Sequence, residues 1–334
     1  MSITRPQRIT GALLASHAAD ALGATLESQS ATAIRERYPN GLRDIVGGGP
    51  FGLLPGQATH DTDLTRAVLL AYLDRARINA AGGDPDVASL AAGHMLKWLR
   101  GDWPERRQGR KPVHVGKTTL EGLQKYGETG EYVGSGGAGG EGKAGNGSLM
   151  RCLPTGLFEE DADRLLLDSV AISAITHADE RCTVSCAAYN AIARDLVAGR
   201  TPQEAVESGL EVARKLEKDT AVADAIELGK KFSIADMAAN GPVGLPSEAS
   251  GFVLESLAIA VAAVLDKRPL EDVVIDVVRI GGDTDTNAAI AAGLLGARDG
   301  EDAVPERWVG RLQFGDDFAE IVSHILTTES GSSG

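Results

Sequence analysis

Two short stretches of this chain hold more acidic and hydroxyl side chains than a helix start needs. The first is Gly281-Gly282-Asp283-Thr284-Asp285-Thr286-Asn287, followed by a run of Ala, Gly and Leu. A single Asp, Thr or Asn caps a helix by accepting a hydrogen bond from a free backbone N–H. Here several stand together. Asp283 and Asp285 are neighbouring anions, which repel unless one is protonated or a cation lies between them. Oxygen donors from Asp and Thr suit hard cations such as Mg²⁺, Mn²⁺ or Ca²⁺. The second stretch is Ala58-Thr59-His60-Asp61-Thr62-Asp63, between a Gly/Pro-rich loop at 47–57 and an Ala/Leu helix, so the organisation repeats. Brought to one point, Thr59, Asp61, Asp283, Asp285 and Thr286 would supply oxygen ligands for two octahedral cations with water. Redundantly capped core helices are the plainer alternative, and each stretch alone leaves both readings open.

Other residues extend the chemistry. A dense glycine segment at 127–148 ends in Gly145-Asn146-Gly147-Ser148, ahead of Leu149-Met150-Arg151, which reads as a helix start. Backbone N–H donors and a helix dipole at such a place favour a phosphate or diphosphate; a mere linker is the alternative. His177, after Thr176, is either turned to a ligand or a satisfied core histidine. Asp20 lies inside an apolar helix at Thr10–Ala24, with Glu27 just beyond. A carboxylate there either has a partner or marks a solvated face. The basic segment 101–119 reads as a solvated loop. Cys182 and Cys186, one helical turn apart, read as small buried residues.

Helices must position these groups. Helical spacing is expected at 86–100, 163–175, 179–197, 218–229, 253–266, 270–279, 287–297, 305–312 and 316–327. Thr201-Pro202-Gln203-Glu204 starts another through a capping box. No segment alternates with period two, so the fold class is all-α. Both acidic stretches must reach one site, which implies a single compact multi-helix domain over 1–327, with 328–334 a flexible tail. The chain has 334 residues, 43% of them hydrophobic and only 4% aromatic, so its core is built of Ala, Leu, Val and Ile. A net charge of −14 argues against general nucleic-acid or membrane-surface binding. Three cysteines make no disulfide framework. The polar opening and the lack of a long apolar run imply a cytoplasmic protein with no membrane association.

Taken together, Gly11-Ala-Leu-Leu14, Asp20 to Glu27, Pro55-Gly-Gln-Ala-Thr-His-Asp-Thr62, Gly145-Asn-Gly-Ser-Leu-Met-Arg151, Thr176-His177, Ser250-Gly-Phe252 and Gly281-Gly-Asp-Thr-Asp-Thr286 resemble the ADP-ribosylglycohydrolases, among them the dinitrogenase-reductase-activating glycohydrolases. The resemblance runs from about residue 8 to 298, in the family's order. It implies an all-α fold and a binuclear Mg²⁺ or Mn²⁺ site that holds ribose hydroxyls and a water. Carried over by position, Thr59, His60, Asp61, Asp283, Asp285 and Thr286 stand at the metal positions. Glu27 is the acid beside them, and Gly145, Asn146, Gly147 and Ser148 cradle the diphosphate. His177 and Phe252 fall on the substrate side, where Phe252 and Tyr132 are candidates to stack on adenine or simply to pack. The implied activity is removal of ADP-ribose from protein, nucleic acid or a small molecule.

Two departures stand out. The family pattern Thr-Asp-Asp-Thr reads Thr59-His60-Asp61-Thr62 here, and Asp-Ile-Gly-x-Thr-Thr reads His114-Val115-Gly116-Lys117-Thr118-Thr119. Neutral imidazole binds Mn²⁺ or Zn²⁺ but suits Mg²⁺ poorly. Glu27, Asp61, His60 and His114 are therefore the candidate catalytic groups. A catalytically altered ADP-ribose-binding module is the alternative function.

Overall fold

Thr4 opens the first helix. Its hydroxyl accepts from Gln7 N while Gln7 Oε1 accepts from Thr4 N, and Pro6 presets φ in the first turn. Helix α1 (Arg5–Gly23) therefore starts ahead of the apolar run at Thr10. The computed structural model describes residues 2–104, 106–107, 109–131 and 144–331. In it α1 is followed by α2 (Ala31–Arg37), α3 (His60–Ala80), α4 (Val87–Arg100) and α5 (Lys117–Thr129). A 3₁₀ turn at Leu149–Arg151 precedes α6 (Leu153–Phe158), α7 (Ala162–Ala174), α8 (Glu180–Val197), α9 (Pro202–Leu216), α10 (Ala221–Gly229) and α11 (Ile234–Asn240). Then come α12 (Val253–Leu265), α13 (Leu270–Arg279), α14 (Thr284–Asp299), α15 (Glu306–Val309) and α16 (Gly315–Gly331). Among the described residues there is no strand, only isolated bridges such as Ser30–Gly281 and Gly145–Phe252. The all-α expectation holds.

The centre of the fold is the crossing of α1 and α14, two helices made of small residues. A Cβ at Gly296 would lie 2.2 Å from Gly11 O, and one at Gly23 only 2.4 Å from Thr284 O. Close backbone approach is the reason glycine stands at these positions. Helices α8, α12 and α13 cover α14, while α3, α4, α6 and α16 pack together on another side. The crossing sets the last residues of α1, which carry Asp20, against the first turn of α14.

Three expectations need correction. Helix α14 starts at Thr284, so Asp285 and Thr286 belong to its first turn instead of preceding a helix at 287. The expected helix start at Leu149 is a single 3₁₀ turn followed by the short α6. Such short pieces sum few peptide dipoles, so the dipole is a weak source of anion attraction here. Helix α16 runs through 328–331, where a tail was expected. Thr328 and Ser330 hydroxyls donate back to His324 O and Leu326 O, which lets these polar residues stay helical. Residues 332–334 lie outside the described residues, as does the glycine-rich stretch 132–143 with Tyr132.

Candidate active site

Asp20 sits on α1 with no solvent exposure. Its Oδ2 accepts from Thr59 N (3.1 Å), Thr62 N (3.2 Å) and the Thr62 hydroxyl, anchoring the start of α3. Its Oδ1 has no hydrogen-bond partner, and neither does Oδ1 of buried Asp61. Asp61 Oδ2 accepts from the Thr59 hydroxyl at 2.9 Å. Asp20, Asp61 and Asp285 each place an oxygen within 4.8 Å of the others, and so do Glu27, Asp283 and Asp285. Asp285 belongs to both sets. Of the two alternatives for Asp20, a partner or a solvated face, the structure shows the first, and its place among small apolar residues is the sequence signal for that burial.

These anions strain against one another. Burial, then the Asp61 charge, pushes Asp20 up to about 7, against the pull of the Thr62 and Thr59 hydrogen bonds. Burial with Glu27 and Asp61 lifts Asp283 to about 6, and burial with Asp61, Asp283, Glu27 and Asp20 holds Asp285 far above the carboxylate range. Asp61 moves the other way: burial opposes its charge, but His60 and the Thr59 and Thr286 hydroxyls outweigh it. At an effective dielectric of about 20, like charges this close cost about 3–4 kcal/mol per pair. Divalent cations would relieve that cost. The orphaned oxygens of Asp20 and Asp61 and the all-oxygen donor sets fit Mg²⁺ or Mn²⁺.

The backbone is bent to hold the cluster. Gly281 and Gly282 have φ of 83° and 77°, and a Cβ at Gly282 would lie 2.6 Å from Ala249 O. Thr284 N donates to Glu27 Oε2 (2.9 Å) and the Thr284 hydroxyl to Gly23 O (2.8 Å), so Glu27 caps α14 from outside. Asn146 spends both amide protons on the site, one on Asp283 Oδ2 (2.8 Å) and one on Ser256 Oγ (3.0 Å). Ser256 in turn donates to Asn287 Oδ1 (2.7 Å). The glycine turn and the acidic turn are thereby one hydrogen-bonded unit.

The cluster opens on a cleft of about 480 Å³ lined by Glu27, His60, Asp283, Asp285 and Thr286, by His114 to Thr119 except Val115, and by Gly145, Asn146, Gly147 and His177. Of the remaining sequence candidates, Thr59 and Asp61 lie behind the cleft wall. Ser148 is turned inward, where its hydroxyl accepts from Ser173 Oγ (2.8 Å). Phe252 pairs through its backbone with Gly145, and its ring lies 5.8 Å below the Arg181 guanidinium, outside the cleft lining.

The two histidines that break the family pattern meet. The His60 ring stands edge-on to His114 at 4.5 Å, and His114 stacks on Phe51 at 4.8 Å. His60 Nδ1 is 2.9 Å from Asp61 Oδ2. Burial would depress His60, but Asp61, with Asp20 and Asp283 behind it, holds its pKa above the usual value. His60 is not among the convergent ligand sets of the described residues. His114 is held below its usual value by partial burial and by His60. Asp63 supports this wall from behind. It accepts from Trp98 Nε1 (2.8 Å), Trp103 Nε1 (2.7 Å) and Arg106, and so ties the basic segment that leads to His114 onto α3 and α4. That Arg106 has a buried partner was not legible from a run of charges.

A model of the ADP-ribosylglycohydrolase family matches residues 1–333. The chain belongs to the ADP-ribosylglycohydrolase family. It is accordingly a hydrolase acting on glycosyl bonds. It is 28% identical to the ADP-ribosyl-[dinitrogen reductase] glycohydrolase of Rhodospirillum rubrum, over 91% of this chain and 90% of that protein. It is 27% identical to the ADP-ribosylarginine hydrolase Tri1 of Pseudomonas putida (strain GB-1), over 96% of this chain and 78% of that one. A solved structure titled ADP-ribosylglycohydrolase-related protein complex superposes with a TM-score of 0.76 at 26% identity, covering 97% of this chain and 98% of that chain.

Proposed function

We propose that this ADP-ribosylglycohydrolase removes ADP-ribose from an acceptor by divalent-cation-dependent hydrolysis of the glycosidic bond. The observation that carries this reading is the pair of carboxylate sets sharing Asp285 at the floor of the cleft, one hydrogen bond away from a glycine turn. Bound Mg²⁺ or Mn²⁺ would orient ribose hydroxyls and acidify a water. Asp20, Asp61, Asp283 and Asp285 would hold the cations. Glu27, fixed by Thr284 and Ser28, presents a carboxylate to the developing oxocarbenium charge. His114, kept largely neutral, is placed to accept a proton at the cleft wall. Gly145 to Gly147 and His177 form the end where a diphosphate fits.

The acceptor is the open part of the specificity. The relative from Pseudomonas is named for ADP-ribosylarginine. Here His60 and His114 offer no negative charge to pair with a guanidinium, so arginine, serine, nucleobase and small-molecule linkages all belong in the assay. The same two imidazoles support a second reading, an ADP-ribose-binding module without turnover. Release of ADP-ribose from each modified substrate, with and without chelator, tests the first reading. Asp283→Ala and Asp285→Ala are expected to lower the rate at least ~100-fold, in line with removing a group that holds the reacting centre. Release unaffected by chelator and by both substitutions would overturn it. Tight ADP-ribose binding by calorimetry with no turnover on any linkage would favour the second.

A further inference from the structure

Arg151 is completely buried beneath the Gly145–Ser148 turn. Its guanidinium donates to Gly147 O (3.0 Å), to Ile172 O (3.3 Å) and to Thr176 Oγ1 (2.7 Å). Among the described residues no carboxylate pairs with it; its ionisable neighbours include the thiols of Cys152, Cys182 and Cys186, and His177. Burial lowers it to about 10, which leaves it charged at neutral pH. A buried cation without a counter-anion is costly. Here it sits where a helix start was expected and only a 3₁₀ turn and the short α6 stand.

Thr176 Oγ1 also lies 2.7 Å from His177 Nδ1. A hydroxyl has one proton to give. Arg151 already donates to this oxygen, and Nδ1 is the acceptor that the described residues offer to its proton. An N–H on Nδ1 would leave that hydroxyl proton unmet in a dry interior, an expensive arrangement. The neutral ring therefore carries its proton on Nε2. That atom faces the glycine turn: a Cβ at Gly147 would lie 3.1 Å from it and one at Gly145 3.8 Å. Burial and the Arg151 charge push His177 down to about 3, so it stays neutral across the physiological range.

We propose that Arg151 and Thr176 are positioning residues that lock His177 in the tautomer donating Nε2–H into the cleft, towards an anionic phosphate oxygen. The ligand half of this inference rests on the ADP-ribose reading above; the tautomer half stands without it. So locked, Nε2 donates into the cleft and never accepts there. With Arg151 behind it, that end of the cleft selects anions over neutral sugars.

The test uses the full chain labelled with ¹⁵N-histidine. Long-range ¹H–¹⁵N correlation, with the His177 signals assigned by their loss in His177→Gln, is expected to show Nε2–H alone between about pH 5 and 8. An Nδ1–H or doubly protonated ring overturns the lock whatever the protein binds. Calorimetry with ADP-ribose then reads the positioning. Thr176→Val is expected to weaken binding about ten-fold, and Thr176→Ser to restore it, the scale of one hydrogen bond to a charged group. Arg151→Lys, which keeps the charge but loses the fork, is expected to weaken binding as well, with KM raised more than kcat is lowered. Thermal melts check that each variant is folded. Wild-type affinity in a folded Thr176→Val overturns the positioning role. If the wild-type protein ignores ADP-ribose while His177 is found locked, the functional reading fails and the tautomer assignment survives.

Discussion

At the residue scale, the site is a set of buried groups whose charge states oppose one another. Asp20 and Asp283 are raised, Asp61 and His177 lowered, and each shift has a named neighbour. His17, on the same helix as Asp20, isolates one such effect outside the acidic cluster. Its ring packs on Phe318 at 5.7 Å and Phe314 at 6.0 Å, and burial drives it down to about 3 against a weak upward pull from the Gly56 backbone. A folded-state pKa below the unfolded value of 6.5 contributes stability that is present above 6.5 and is lost as pH falls towards 3. The loss is about 1.4 kcal/mol per pH unit for one group. Protonation of Asp20 and Asp283 works in the opposite direction over part of the same range, so the whole-protein curve mixes the two. The difference between wild type and His17→Leu isolates the histidine. It is expected to be nearly flat above pH 7 and to move in favour of the variant below pH 6.5, read by denaturant unfolding. A pH-independent difference would contradict the buried neutral ring.

At the element scale, the α1–α14 crossing decides whether the carboxylates meet. Gly23 ends α1 where its missing side chain lets Thr284 O and Asp285 Cα approach, at 2.4 Å and 2.6 Å from an added Cβ. Both obstacles are backbone, so Gly23→Ala must shift the first turn of α14. A destabilisation of about 1–3 kcal/mol is expected from overpacking, together with weaker cation binding, because Asp285 moves with that turn. Gly93→Ala in α4, where a Cβ meets nothing within 4 Å, is the control and is expected to be neutral or slightly stabilising. Thermal unfolding and Mn²⁺ titration of both variants check this; equal behaviour of the two would contradict the close crossing.

At the scale of the whole molecule, residues from near both ends build one centre: Asp20 and Glu27 from the first helix region, Asp283 and Asp285 from the last quarter. We propose that 1–327 unfolds as one unit, because neither end can satisfy the site alone. Calorimetry is expected to show a single transition, and two separable transitions would refute it. Ligands that bind only the folded state stabilise it by mass action, by about 2.7 kcal/mol at a concentration of about one hundred times Kd. Mg²⁺ or Mn²⁺ should therefore raise Tm by several degrees at pH 8, above the raised values of Asp20 and Asp283. Asp285→Ala should abolish that rise. Among the described residues no helix is long and apolar enough to cross a membrane.

Much of this was legible in the one-dimensional chain. The redundancy of Asp and Thr at 59–63 and 283–286, repeated after glycine loops, announced a shared oxygen-rich site, because capping needs fewer such groups. Small-residue helical spacing announced the close-packed all-α fold. Only the tertiary structure decided that Asp20 joins the cluster, that Ser148 and the Phe252 ring turn away from the cleft, and that Arg106 is held by Asp63. It also placed buried Arg151 beneath the glycine turn, where sequence suggested a helix start and only a 3₁₀ turn stands. The physical reason is common to all of these. Local pattern reports what a residue type tends to do along its own helix. Burial, partner and direction are set by whichever distant backbone the fold brings against it.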